Sequence, residues 1–192
     1  MPRIIDYLVQ EYDAEEFSRE TLHRPLFDVN MRLFRSSPFY RQLVMDTINY
    51  MDAHLNMTFE DYPAPRGVSG ANLGIPWNII GFKHQNKNKF CINPRILNRS
   101  TEGVVTETNC GSFRLEKAVK VFRSDYIDLE YYDLKGQRII EKNIGRYQAG
   151  FVIQHEVDHN CGVCITDKIV KEQSVVQEPM EQLDREVPIS PV

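Results

Sequence analysis

The sequence predicts an α+β domain of mostly antiparallel sheets packed around a helix that bears the motif H-E-x-x-H. Helical patterning comes first, a series of short strand-like runs fills the middle, and one more helix follows at about residues 145–160. That segregated order is the α+β pattern, not the strand–helix alternation of a parallel sheet. The last strand-like run, YIDLEYYD, alternates and leads into the turn LKGQ, as a half-buried antiparallel strand does. The late helix is apolar just ahead of its first histidine, which carries the motif toward the interior.

Residues 1–35 read as a helix followed by an irregular crossing segment, LHRPLFDV. Residues 37–56 form an amphipathic helix. Leu43, Val44, Ile48 and Met51 share a face at helical spacing, Ser37 is placed to cap, and Pro38 suits the first turn. DYPAPRGVSGANLGIP is a glycine- and proline-rich loop. The strand-like runs are WNIIGF, KFCINP, AVKVF and YIDLEYYD. In the late helix Ala149, Val152, Ile153 and Val157 lie on or near the apolar face, and Gly162 stands where the helix would stop. One domain over residues 1–169 is expected, its first part a helical extension. Residues 170–192 form a polar tail whose Pro179, Pro188 and Pro191 favour an extended or disordered end.

Composition narrows the function. The chain has 192 residues, 42% of them hydrophobic and 26% charged, with a net charge of −4. This is an ordinary globular balance, without the basic footprint of a nucleic-acid binder. No apolar run approaches the roughly 20 residues of a membrane helix. The first residues lack an apolar signal core. A cytoplasmic location is expected, with the four cysteines as thiols.

The chemistry concentrates in FVIQHEVDHNCG. On a helix His155 and His159, four apart, face the same way. Both can offer a ring nitrogen to one metal ion, with Glu156 beside them to take a proton from water. A solvated helix face is the competing reading, and the apolar residues before His155 weigh against it. A catalytic site of this type uses three protein ligands. A third histidine at the H-x-x-G-x-x-H position is missing, because Ile165 stands there. The downstream glutamates lie in the polar tail. The remaining candidates are Cys91, Cys110, Cys161, Cys164, His23, His54 and His84. Cys161 and Cys164 form a C-x-x-C, which reads more simply as packed thiols after the helix than as a redox or zinc pair. Cys91 reads as a core residue. Cys110, between polar residues and beside a glycine, is the favoured ligand.

These stretches resemble the peptide deformylases, metal hydrolases that remove the N-formyl group from the initiator methionine of new proteins. The resemblance spans about residues 22–169. It is carried by QHEVDHNCG against Q-H-E-x-D-H-x-x-G, by CINPRIL against an I-N-P strand, by TNCGS against E-G-C-L-S, and by GVSGANLGIP against G-L-A-A-x-Q-x-G-x-P. The resemblance implies Cys110, His155 and His159 as metal ligands and Glu156 as the acid/base. It implies oxyanion donors at the Asn72 side chain and the Gly111 backbone N–H. It also implies substrate-binding residues at Gly67, Val68 and Ser69 of that loop. The implied cofactor is one divalent metal ion, natively Fe2+, with Zn2+ or Ni2+ as alternatives.

The departures from the pattern are specific. Asn72 stands for a glutamine and is one methylene shorter. Thr108 stands for a glutamate, with Glu107 next to it as a substitute that could pair with Arg123. Gly111 stands for a leucine. Phe151, one turn before His155, stands for a smaller aliphatic residue and is expected to border the metal and line the pocket for the methionine side chain. Gln154 is expected to orient water or the loop, and Asp158 to accept a histidine N–H or cap a backbone group. The implied function is removal of an N-formyl group, first from formyl-methionine peptides. A non-peptide formylated substrate, or a catalytically weak metal-binding relative, are the alternatives. The expected partner is thus a formylated peptide or small molecule, with no nucleic acid or membrane, for a monomer or weak oligomer.

Overall fold

The computed structural model describes residues 22–57, 65–112 and 117–170. The helix expected before residue 22 and the tail after residue 170 lie outside them. The architecture is α+β with antiparallel sheets.

The segment 22–30 crosses as irregular chain, as expected, and then forms a short helix α1, Met31–Ser36, that the sequence reading missed. Asn30 caps it by accepting from the Arg32 and Leu33 N–H groups, and only Phe34 is buried. One fully buried side chain in six residues leaves no period to read. Ser37 ends α1 and begins α2, Pro38–Leu55, where its hydroxyl accepts from the Tyr40 N–H and proline occupies the first turn. Both capping expectations hold. Val44, Ile48, Met51 and Leu55 are buried along one face of α2.

Five strands make the larger sheet: β1 Gly67–Ser69, β2 Ile79–His84, β3 Lys87–Arg99, β6 Tyr126–Tyr132 and β7 Arg138–Gly145, in the order β1-β2-β3-β6-β7. Every neighbouring pair is antiparallel. β4, Gly103–Thr108, and β5, Val119–Ser124, form a separate two-stranded ribbon. The four strand-like runs fall on β2, β3, β5 and β6. β1, read as loop, is three residues long, and β4 and β7 were also missed. Most residues of β4 and β7 keep at least one side in water, so they lack the apolar alternation that announces a strand.

The larger sheet is covered on both faces. Ile79, Phe90 and Ile92 pack with Val44, Ile48, Met51 and Leu55 of α2. The intervening Ile80 and Cys91 turn the other way. They pack with Ile127, Leu129, Ile144, Ile153 and Val157, the last two from helix α3, Gly150–Asn160. Burial on two faces explains why residues 79–82 of β2 carry no polar side chain. Each fully buried Ile or Leu contributes about 1.5–3 kcal/mol. Asn93 of the I-N-P stretch has a positive φ of 53° within a register shift of β3. Its side chain accepts from the Val29 N–H at 2.7 Å and donates to the Val29 carbonyl at 2.9 Å. The bulge thereby fastens the crossing segment to the sheet.

Helix α3 is shorter than expected. A 3-10 turn, Arg146–Gln148, precedes it, and Ala149 between them has φ 67°. Its end is a Schellman motif: Gly162 N–H donates to the His159 carbonyl and Val163 N–H to the Asp158 carbonyl, both at 2.9 Å. Gly162 adopts φ 75°, as the stop signal required.

Candidate metal centre

α3 packs against β1, β2, β3, β5 and β7. This places His155, Glu156 and His159 between the larger sheet and the β4–β5 ribbon. Cys110 stands two residues past β4. It is buried with Val121 of β5 and with Ile165. Its Sγ lies 3.1 Å from His159 Nε2, which in turn lies 3.2 Å from His155 Nε2. One donor atom from each of the three residues falls within 4.8 Å of the others.

The donor chemistry suits a divalent ion. Metal–nitrogen and metal–sulfur bonds of about 2.0 and 2.3 Å put tetrahedral ligand atoms roughly 3.3–3.6 Å apart, close to the spacing here. Burial, with help from the neighbouring histidine and from Arg123, lowers the His155 pKa to about 3. Burial lowers that of His159 to about 4, against an opposing pull from Asp158. Both rings are therefore neutral near pH 7, as ligation demands. His159 Nδ1 has no hydrogen-bond partner among the described residues. His155 Nδ1 faces an Arg123 nitrogen at 3.3 Å. A guanidinium only donates, so the contact is favourable when Nδ1 carries no proton. Ligation through Nε2 moves the proton to Nδ1, and Arg123 must then shift. The set fits a metal at that cost.

Glu156 lies one residue from His155, buried, and its Oε2 has no partner among the described residues. Burial raises its pKa to about 8, with Asp158 adding to the rise and Arg123 opposing it. Gly67 explains how the carboxyl is enclosed. A Cβ there would fall 2.5 Å from both Glu156 Oε1 and Val152 Cγ1, so the bare backbone of β1 forms one wall. Val68 and Ser69 continue that strand and are buried.

Asn72 lies in the 3-10 turn Ala71–Leu73. Its Oδ1 accepts from the Ser69 N–H at 2.8 Å and the Ser69 hydroxyl at 2.6 Å. Its amide donates to Ser112 Oγ, which joins this loop to the cysteine segment. Gly111 is exposed, and a Cβ on it would meet nothing within 4 Å. Phe151 is half-buried in the first turn of α3.

Two expectations are corrected. Arg123 does not pair with Glu107, which is exposed and opposite Lys120 in register. Arg123 is buried and donates to Asp158 Oδ2 at 2.6 Å. Among the described residues Asp158 neither receives a histidine N–H nor caps a backbone group. It takes Arg123, Lys168 at 2.7 Å and Arg99 at 3.5 Å. Gln154 reaches the connection between β5 and β6. It is 1% exposed and exchanges two hydrogen bonds with the Ser124 backbone, while its oxygen also accepts from Arg99. Sequence reasoning missed Arg123 as the partner of Asp158, and Ser112 as the partner of Asn72. Arg123 had a signal: it sits two residues from Val121 on the same face of β5, and a cation in an inward register calls for a buried acid.

The sequence profile of a family described as polypeptide deformylase matches residues 16–175. The peptide deformylase of Thermotoga neapolitana is 34% identical over 103 residues, which is 54% of this chain and 61% of that protein. That of Ligilactobacillus salivarius is 35% identical over 94 residues, 48% of this chain and 47% of the relative. The chain thus aligns with less than two thirds of the length of these curated relatives. Solved structures extend the likeness. The PDF from Vibrio parahaemolyticus bacteriophage VP16T, in complex with actinonin, is 26% identical, with TM-score 0.57 over 76% of this chain and 93% of that one. Thermotoga maritima peptide deformylase is 27% identical, with TM-score 0.54 over 79% and 92%.

Proposed function

The chain belongs to the polypeptide deformylase family, and we propose that it is a metal-dependent hydrolase that removes the N-formyl group from formyl-methionine peptides. The observation that carries this is the triangle of Cys110, His155 and His159 donor atoms with a buried Glu156 carboxyl on the same helix, which the charge of a bound cation would favour as the carboxylate. We place the enzyme in the cytoplasm. No disulfide joins cysteines among the described residues, and no described helix is long and apolar enough to cross a membrane.

Cys110, His155 and His159 would hold one divalent ion, natively Fe2+ with Zn2+ or Ni2+ able to replace it, which when bound supplies Lewis acidity at the carbonyl and makes water acidic enough to ionise near neutral pH. Glu156 accepts the proton of the attacking water and returns it to the amine nitrogen as the C–N bond breaks. The Gly111 N–H stands next to the cysteine ligand as an oxyanion donor. Asn72 is the second donor. One hydrogen of its amide serves Ser112, and the second is left for the reacting oxygen. The strand Gly67, Val68 and Ser69 holds the substrate, and Phe151 borders the methionine pocket.

Smaller formylated substrates are the second reading. The open space beside Gly111, where the family pattern has leucine, removes an apolar wall that a peptide side chain would press on. The test is formate release under anaerobic conditions by Fe2+-loaded protein, with formyl-methionine peptides set against small formamides and metal content measured on the same sample. Faster peptide turnover, inhibited by actinonin, is expected. A metal-loaded Glu156→Ala protein with undiminished turnover would remove the acid/base assignment. Full metal content with no formamide hydrolysis would leave a binding protein instead.

A further inference from the structure

A second group of donor side chains gathers beyond the far end of α3. After the Schellman turn the chain enters the 3-10 turn Ile165–Lys168, preceded by Cys164. Cys164 is wholly buried. Asp167 folds back so that its Oδ2 accepts from the Cys164 N–H at 2.7 Å. His23 arrives from the other end of the described chain. Its carbonyl presses so close on Gly162 that a Cβ there would lie 2.5 Å away. The His23 ring stands between the other two: Nδ1 is 3.9 Å from Cys164 Sγ, and Nε2 is 3.2 Å from Asp167 Oδ2. One donor atom from each of the three lies within 4.8 Å of the others.

We propose that His23, Cys164 and Asp167 form a second metal site, suited to a single Zn2+ ion and separate from the centre at Cys110. A thiolate, an imidazole and a carboxylate are the three donor types zinc takes. One donor atom from each lies within 4.8 Å of the others, so a modest side-chain adjustment reaches the roughly 3.3–3.6 Å edges of a tetrahedral zinc site. One ring nitrogen binds, and a small rotation of the half-exposed His23 selects which. The fourth position faces solvent, since the His23 and Asp167 side chains are 40% and 43% exposed, and takes a water. Binding releases the proton of the Cys164 thiol. Thiolate and carboxylate together then balance the charge of the ion.

The bland alternative is a surface His–Asp contact over a packed thiol, which would hold no ion. Cys161, the other cysteine of the C-x-x-C, is exposed and stands outside the group. The partner of Cys164 thus comes from the opposite end of the fold. An ion here would fasten the crossing segment to the end of the helix that carries His155 and His159. Leu26 N–H already donates to the Asn160 carbonyl at 2.9 Å in the same place.

The test is equilibrium dialysis of the full chain against buffered micromolar free Zn2+, with zinc counted per chain. Wild type is expected to hold two equivalents. His23→Gln, at a half-exposed position, and Asp167→Asn, which keeps an acceptor for the Cys164 N–H, should each hold one. Cys110→Ser should lose the other equivalent and keep the ion that His23→Gln removes. Thermal melts under the same buffered zinc verify that each variant folds, and zinc should raise the melting temperature of Cys110→Ser but not of Cys110→Ser/His23→Gln. A single equivalent in wild type, or equal zinc in wild type, His23→Gln and Asp167→Asn, overturns the proposal.

Discussion

Glu156, His155 and His159 are titratable groups displaced by burial in opposite senses, and their effects on stability oppose each other. In the metal-free chain the histidines, lowered to about 3 and 4, bind fewer protons folded than unfolded. Stability therefore rises as pH climbs from about 3 to the ordinary histidine value near 6.5. Glu156, raised to about 8, binds more protons folded than unfolded, so stability falls from about 4.5 up to 8. Two histidines outweigh one glutamate below about 6.5, and the glutamate acts alone above it. Chelator-treated protein should melt highest near pH 6.5, with melting temperature falling on both sides. A melting temperature still rising between pH 7 and 8 would count against the buried carboxyl. A neighbouring residue supplies a second prediction. Gly67→Ala adds a methyl group where Glu156 Oε1 and Val152 Cγ1 already lie 2.5 Å from its position. The metal ligands do not touch it. Metal content should stay unchanged while turnover falls about 10²-fold, the scale of a roughly 1 Å misplacement of a reacting group. Wild-type turnover in Gly67→Ala would mean that β1 does not set the position of Glu156.

Helix α3 is held at both ends and along one side, and its terminal contacts set where the histidines stand. Gln154 pins it to the corner between β5 and β6 through the Ser124 backbone. The Schellman turn at Gly162 ends it one turn after His159. Gly162→Ala must bear a left-handed conformation, at about 1–2 kcal/mol, and a Cβ 2.5 Å from the His23 carbonyl. Chemical denaturation should show a loss of at least about 2 kcal/mol with the slope unchanged. A loss under about 0.5 kcal/mol would mean that the turn relaxes freely. The helix was legible in advance because its signals are local: an apolar face, histidines four apart, and a glycine stop. The expected start at residue 145 was too early. The period cannot distinguish an α-helix from a 3-10 turn followed by a left-handed Ala149. α2 was legible for the same reason, down to its Ser37–Pro38 start, whereas α1 offers one buried side chain and no period.

At the scale of the whole molecule, the readable strands are those with a well-buried face, such as β2, buried on both sides over residues 79–82, and β6, where buried residues alternate. β4 and β7 have faces in water and stayed hidden. The donor triangle joins a segment after β4 to α3 across 45 residues of sequence from Cys110 to His155, a closure that no local pattern encodes. The same long-range assembly produces the polar hub at Asp158. Arg123 comes from β5, Arg99 from β3, Lys168 from the turn after α3, and the acid from α3 itself. Sequence spacing could show an inward cation on β5 but not which acid would meet it. Arg123 is 3% exposed, so it cannot turn to water if its partner is neutralised. Asp158→Asn keeps the shape and one acceptor but leaves that guanidinium buried without a counter-charge. Removing one member of such a pair costs about 3–5 kcal/mol, and the partly exposed Lys168 and Arg99 lose little by returning to solvent. Urea denaturation of Asp158→Asn should therefore show a loss near 3 kcal/mol, and Lys168→Met a loss under about 1 kcal/mol. Equal losses in the two variants would place the strength of the hub at its surface, not at the buried Arg123–Asp158 contact.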